Sequence, residues 1–244
     1  MLKTFFGFQE VDASEKSKLV ANVFSSVANK YDIMNDVMSL GIHRLWKRRF
    51  CSLIPAHANS IIDVAAGTAD IAVGALKAND KRRVTICDIN FDMLSAGREK
   101  AINSGVIRGL EYTVCDAENL PFEDNSFDCY TIAFGIRNVT NINNALKESY
   151  RVLKKGGKFM CLEFSKVESE ILRKFYDFYS FNMIPKFGKI IANDEGAYKY
   201  LAESIKQFPD QEQFVGMIKE VGYKNTNYEN LTGGVVAIHT AYKI

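Results

Sequence analysis

Ile61-Ile62-Asp63-Val64-Ala65-Ala66-Gly67-Thr68-Ala69-Asp70 changes character twice within one short stretch. Ile61 to Ala65 is an apolar, β-branched run of the kind a strand covered on both faces needs. Ala66 to Ala69 carry almost no side-chain volume, and Ile71 to Lys77 then puts its bulk on one helical face. A strand, a small-residue turn and a helix in that order let a ligand approach backbone N–H groups at a helix N-terminus, where the dipole favours an anionic group. Taken alone, the stretch is equally a βα corner that binds nothing.

Two downstream strands favour a ligand. Val84-Thr85-Ile86-Cys87-Asp88 ends in an acid about 20 residues past the turn, where a parallel α/β sheet places a carboxylate to accept from ribose hydroxyls. Leu110 to Asp116 forms a third strand that again ends in Asp, placed to accept from an adenine amine. Each Asp by itself is an ordinary cap or turn residue. A pyrophosphate wants G-x-G-x-x-G, and this turn has only Gly67. S-adenosylmethionine, which has no phosphate, asks less of the turn and fits it better.

The chain has 244 residues, 47% hydrophobic and 25% charged, enough for one α/β core with appendages. A net charge of +2 gives no electrostatic case for nucleic acid. Five cysteines (51, 87, 115, 129 and 161) lack C-x-x-C spacing and read as buried residues of a reduced, cytoplasmic protein. His43, His57 and His239 are scattered without metal-ligand spacing, so no metal is expected. No apolar run is long enough for a signal peptide or a span, leaving at most a contact with a membrane surface.

The expected organisation is one domain in four parts: an N-terminal helical cap or lid over 1–57, a cofactor-binding core over 58–166, a substrate-side helical insertion over 167–208, and a closing helix and strands over 209–244. Residues 1 to about 13 read as a loose start, and Ser14 as the cap of a helix through Asn29. Tyr31 to Trp46 mixes aromatics with Asp32, Asn35, Ser39 and His43, which suits a lid and equally a polar-faced cap. Asn90 caps a helix to about Ser104, and a fourth strand runs Cys129 to Phe134. Just past that strand's carboxyl edge, Gly135 allows close approach to a ligand while Arg137 and Asn138 supply a cation and an amide; a surface arginine and a helix cap are the plain alternative. A helix over 141–153 and a turn at Lys154 to Gly157 lead to a fifth strand, Lys158 to Phe164. Phe175, Tyr176, Phe178, Tyr179, Phe181 and Phe187 then crowd one region with Lys174, Lys186 and Lys189. Plain core, an apolar tunnel and a membrane-facing surface all explain such density. Residues 211–221 read as a helix, and 223–230 with 235–242 as an antiparallel pair.

At this point the sequence resembles the C-methyltransferases of ubiquinone and menaquinone biosynthesis, within the class I S-adenosylmethionine-dependent methyltransferases. The likeness is carried by Tyr31, Asp32, Met34, Asn35, Met38, Ser39, His43 and Trp46 in one signature, and by Arg151, Val152, Leu153, Lys154, Gly157, Glu163 and Ser165 in a second. It continues through A-E-N-L-P-F, F-G-I-R-N-V-T, Y-D-F-Y-S-F, A-Y-K-Y-L-A-E-S-I and N-L-T-G-G-V-V-A-I-H, nearly the whole chain. The resemblance implies an α/β, Rossmann-like, mostly parallel seven-stranded sheet with an antiparallel final strand, helices on both faces and an N-terminal cap. It implies cofactor contacts at Thr68, Asp88, Asp116 and Ala117, which join Gly67 of the small-residue turn. Three positions depart from the pattern: Ala69 replaces the second Gly of G-T-G-D, Ala133 replaces a Ser that commonly contacts the cofactor, and Lys155 replaces a Pro.

The implied reaction is methyl transfer from a sulfonium to a ring carbon of a prenylated quinol, 2-methoxy-6-polyprenyl-1,4-benzoquinol or demethylmenaquinol. Positioning and electrostatics carry such a reaction. Arg137 is expected to hold the phenolate or its attendant water, Asn138 to orient the ring, and His43 or Asp32 to relay the proton. A peripheral contact with the inner membrane, a quinone-synthesis assembly and a homodimer are the further partners to weigh. Three rivals stand beside this reading: an NAD-dependent oxidoreductase, a catalytically silent cofactor-binding scaffold, and an amino-group methyltransferase, for which the N/D-P-P-Y/F motif is missing.

Overall fold

A computed structural model describes residues 3–27, 31–179 and 195–244. In place of the loose start, β1 (Lys3–Phe6) and β2 (Gln9–Asp12) pair antiparallel around Gly7, whose φ of +57° closes the turn. Two four-residue, largely exposed strands show little periodicity, and distant contacts hold them. The Phe8 N–H donates to Glu203, the Thr4 hydroxyl donates to the Thr140 carbonyl, and Phe6 stacks on Tyr200 with ring centroids 4.2 Å apart.

Helices α1 (Ala13–Val27), α2 (Tyr31–Ser39) and α3 (His43–Ser52) form the cap. On α3, His43, Trp46 and Phe50 share one helical face and are buried, and the other face carries Arg44, Leu45 and Arg48 to solvent.

The sheet begins with β3 (Ser60–Val64), followed by α4 (Asp70–Ala78), β4 (Arg83–Asp88), α5 (Phe91–Asn103), β5 (Leu110–Val114), β6 (Phe127–Ala133) and α6 (Ile142–Val152). Then come β7 (Leu153–Phe164), α7 (Glu170–Phe178), α8 (Glu195–Gln207), α9 (Gln211–Glu220), β8 (Lys224–Leu231) and β9 (Val236–Tyr242). Spatial order is β5-β4-β3-β6-β7-β9-β8; β9 runs antiparallel to β7 and β8, and the other pairings are parallel. This is the expected seven-stranded sheet. The chain leaves β3 for β4 on one side and reaches β6 on the other, so the topological switch lies between β3 and β6, where open α/β sheets bind ligands.

Alternation along the strands divides the core. Ile61, Ile86, Met160 and Leu162 face α3, α4 and α8, while Ile62, Val64, Tyr130 and Phe159 face α6 and α9. Asn90 caps α5 as expected, its side chain accepting from the Met93 N–H.

One strand differs in extent. β7 starts at Leu153 rather than Lys158, because Leu153 pairs with Phe127 and the register then slips so that Lys158 faces Cys129. The intervening Lys154 to Gly157 segment is stitched to the chain's far end by Gly156 N–H to the Lys243 carbonyl (2.6 Å) and Lys243 N–H to that of Gly157 (3.0 Å). Of the aromatic-rich region, Tyr176 and Tyr179 pack half-buried against the core, and Phe181, Lys186, Phe187 and Lys189 lie outside the described residues. Among the described residues no helix is long and apolar enough to cross a membrane.

Candidate active site

The turn after β3 owes its shape to left-handed residues: Ala65 (φ +50°), Gly67 (+53°) and Ala69 (+63°), with α4 starting at Asp70. Small side chains make this affordable, yet Ala69 is a non-glycine residue in a region that normally costs about 1 kcal/mol or more. The Gly67 N–H donates to Asp88 Oδ2 at 2.8 Å, and Asp88 Oδ1 accepts from the Asn90 N–H at 2.9 Å. Burial pushes the Asp88 carboxyl up, and these backbone donors oppose that shift. Each oxygen keeps a second lone pair for a ligand hydroxyl.

Gly67, Asp88, Asp116, Ala117 and Asn138 line one cavity at the carboxyl edge of the sheet, roofed by Ser17, Val20, Ala21 and Phe24 of α1. That roof is pinned down: Lys16 Nζ donates to the Val139 carbonyl at 2.8 Å, and Asn90 Nδ2 donates to that of Ala21 at 3.1 Å. Asp116 makes an Asx turn, Oδ1 accepting from the Glu118 N–H.

Thr68 faces the other side of the turn. Its hydroxyl lies 3.5 Å from Asp32 Oδ1 and 3.4 Å from Lys100 Nζ. Lys100 pairs with both oxygens of Asp32 (2.8 and 2.7 Å) and with Asp70 Oδ1 (2.5 Å), while Lys47 pairs with Asp70 Oδ2 (2.6 Å). His43 sits in the same cleft, its Nδ1 3.2 Å from Ser39 Oγ and its Nε2 3.7 Å from Asp36. Burial lowers its pKa to about 4, so at pH 7 it is neutral, able to pass a proton between its ring nitrogens but not to keep one.

A smaller cavity lined by Lys47, Asp63, Thr68 and Asp70 shares Ala65 and Phe134 with the first. Asp63 is buried in β3; its Oδ1 accepts from Thr131 Oγ1 at 2.7 Å, and its Oδ2 has no partner. Burial raises this carboxyl to about 7.

At the end of β6, Phe134 adopts φ +58°, and a Cβ at Gly135 would overlap that of Ala65, so only glycine brings the two strand tips this close. The chain then makes a single helical turn, Ile136–Asn138. The structure turns Arg137 inward: Nη1 donates to Glu163 Oε1 at 2.7 Å and to the Phe134 carbonyl at 2.6 Å, and its guanidinium lies 5.4 Å from the centre of the Phe164 ring. Nε is buried without a partner. Asn138 lines the cavity with its Oδ1 accepting from the Tyr200 hydroxyl at 3.0 Å and its Nδ2 donating to the Phe134 carbonyl at 3.5 Å.

The sheet edge thus brings Gly67, Asp88, Asp116, Ala117 and Asn138 together, places Thr68 in the smaller cavity with Asp63, sets Asp32 and His43 in a neighbouring polar cleft, and holds Arg137 against Glu163. Lys47, Asp70, Lys100, Glu163 and Tyr200 were not foreseen as site residues. The lysines lie in ordinary charged helices and gave no signal; Asp63, an acid inside I-I-D-V, did.

An adenosyl group suits the larger cavity, with acids at successive strand tips and no glycine-lined diphosphate cradle. The orphaned Asp63 oxygen suits the ammonium of an α-amino acid. Fold and site together define a class I S-adenosylmethionine-dependent methyltransferase. The chain belongs to the ubiE/COQ5 methyltransferase family, whose model matches residues 11–243. It is 56% identical to the ubiquinone/menaquinone biosynthesis C-methyltransferase UbiE of Rickettsia bellii (strain OSU 85-389), covering all of both chains, and 55% identical to that of Rickettsia prowazekii (strain Madrid E), again over the whole of both. Among solved structures, a SAM-dependent methyltransferase from Thermotoga maritima matches with a TM-score of 0.65 at 19% identity, covering 91% of this chain and 99% of that one. The [4+2]-cyclase SpnF matches at 0.60 and 16% identity, over 82% of this chain and 80% of its own, a reminder that this fold alone does not fix the reaction.

Proposed function

We propose that the chain methylates a ring carbon of a prenylated quinol, 2-methoxy-6-polyprenyl-1,4-benzoquinol or demethylmenaquinol, in ubiquinone and menaquinone biosynthesis. The observation that carries this reading is the likeness to UbiE relatives over the full length, which takes in the strand tips around the cofactor cavity. The cofactor supplies an electrophilic methyl group on a sulfonium.

A ring carbon becomes nucleophilic when the neighbouring hydroxyl loses its proton, so the protein has to favour a phenolate. Arginine remains protonated in proteins and acts here as a fixed cation. Glu163 holds Arg137 by Nη1, and the unpartnered Nε is the donor that a substrate oxygen or its attendant water would satisfy. Asn138, fixed by Tyr200, orients the ring. The phenol proton leaves through water, with Asp32 and neutral His43 on the lid side. Opposite charges cancel as the methyl moves, so a covered site favours the transition state, and the pinned α1 helix lies over this one.

The test is methyl transfer to short-chain analogues of both precursors by wild type and Arg137→Ala. The variant should lose about 10²- to 10³-fold in turnover, as when a preorganised donor is removed. Unchanged turnover removes Arg137 from the mechanism. A wild type that binds cofactor yet transfers nothing to either analogue turns the reading to the silent scaffold.

A prenylated substrate lives in a bilayer, and the protein would meet it from the cytoplasm. Leu40 and Leu45 are 77% and 64% exposed beside Arg44 and Arg48. That pairing of apolar tips with cations favours the inner-membrane surface over a quinone-synthesis assembly or a homodimer as the partner here. Cosedimentation with anionic vesicles, lost in the double variant Leu40→Glu/Leu45→Glu, tests it.

A further inference from the structure

We propose that Lys47, carried on α3 of the cap, reads the α-carboxylate at the amino-acid end of the methyl donor. The charges around the smaller cavity single it out. Lys100 is committed to two carboxylates, bound to both oxygens of Asp32 and to Asp70 Oδ1. Asp70 therefore keeps Lys100 on its Oδ1 when Lys47 leaves its Oδ2. Lys47 lines this cavity together with Asp63 and also reaches the outer cleft, where Lys100 lies.

Asp63 supplies the independent sign that a ligand belongs here. Asp63 lines the cavity, and its Oδ2 is buried and unpartnered. A buried carboxylate oxygen without a donor is costly, and an ammonium group would satisfy it. An α-amino acid is a zwitterion: with its ammonium on Asp63, its carboxylate falls toward Lys47 and the N-terminal turn of α4, where the helix dipole adds to the attraction. The cavity joins the adenosyl site at Ala65 and Phe134, so one ligand can span both. Because Lys47 comes from the cap while Asp63 and Thr68 come from the core, a bound amino-acid end would tie the cap to the sheet.

This inference rests on the methyl donor assigned above, and its test separates the two. Dissociation constants are measured by calorimetry for S-adenosylhomocysteine and for its analogue lacking only the α-carboxylate. Wild type should bind the full product about 10- to 100-fold more tightly, the scale of a hydrogen bond to a charged group. Lys47→Met should lose that preference by weakening the full product and leaving the decarboxylated analogue within about twofold. Lys47→Arg, which keeps the cation, should retain most of the preference, and Lys100→Met should change both ligands alike. Equal weakening of both ligands in Lys47→Met, or no weakening of either, overturns the assignment. A wild type that binds neither ligand overturns the donor itself, and the inference with it.

Discussion

Replacing Glu163 by Ala should be among the most damaging single changes outside the hydrophobic core. Its side chain is fully buried, that of Arg137 is 4% exposed, and their charged atoms are 2.7 Å apart. Glu163 also accepts from the Phe164 N–H at 2.9 Å and, more weakly, from the Arg137 N–H at 3.4 Å. Burial pushes its carboxyl up while Arg137 pulls it down, the mark of a charge kept by its partner. Alanine leaves a guanidinium without its counter-charge in a dry site, a defect that costs about 3–5 kcal/mol. For a domain of this size each kcal/mol moves the melting temperature by about 2–4 °C, so the loss should be roughly 6–20 °C. The double variant Arg137→Met/Glu163→Leu removes both charges and should recover most of that stability, to within about 1 kcal/mol of wild type, while abolishing methyl transfer. Thermal unfolding of the three proteins, free of cofactor, decides. A Glu163→Ala protein melting within about 2 °C of wild type, or a double variant less stable than the single one, refutes the reasoning.

A Cβ added at Gly97 on α5 would stand 2.9 Å from the Gly67 carbonyl and 3.2 Å from Ala69 Cβ, so Gly97→Ala must push the cofactor turn. It should cost about 1–3 kcal/mol and weaken S-adenosylhomocysteine by roughly tenfold in calorimetry, and an unchanged affinity would show that the turn gives way freely. His43 and His239 are buried and held neutral, each lowered from 6.5 to about 4. Because their folded values lie below the unfolded one, their contribution is complete above about pH 6.5 and fades as pH falls toward 4, by up to about 3 kcal/mol each; urea melts at pH 7 and 4.5 should show the loss, smaller in His239→Phe. Asp63, raised to about 7 and beside Thr131, Lys47 and Asp70, must be ionised to hold an ammonium. Binding of S-adenosylhomocysteine should therefore tighten as pH rises from 6 to about 7.5, and Asp63→Asn should flatten that dependence; an equally steep curve in the variant would assign it elsewhere.

Much of this architecture is local in origin and therefore legible. The β-branched run at Ile61, the small residues after it, the Asn90 cap and the acids Asp88 and Asp116 at strand ends act over a few positions each. Their periodicities dictated a parallel sheet with a polar carboxyl edge. Elements held by distant partners were not legible: the β1–β2 hairpin leans on Tyr200 and Glu203, and the start of β7 depends on a register slip and on Lys243.

The same division runs through the site. By itself the sequence determined which strands carry polar tips and that the turn at Gly67 suits an adenosyl sulfonium better than a diphosphate. It could not say where a charge ends up. Only tertiary structure turned Arg137 onto Glu163, set Thr68 on the far side of its own turn, and gathered Lys47, Asp70, Lys100 and Asp32 from separate helices into one network. The physical reason is range: backbone geometry and side-chain alternation are fixed by neighbours along the chain, whereas charge pairing depends on burial and on partners brought together from far along it.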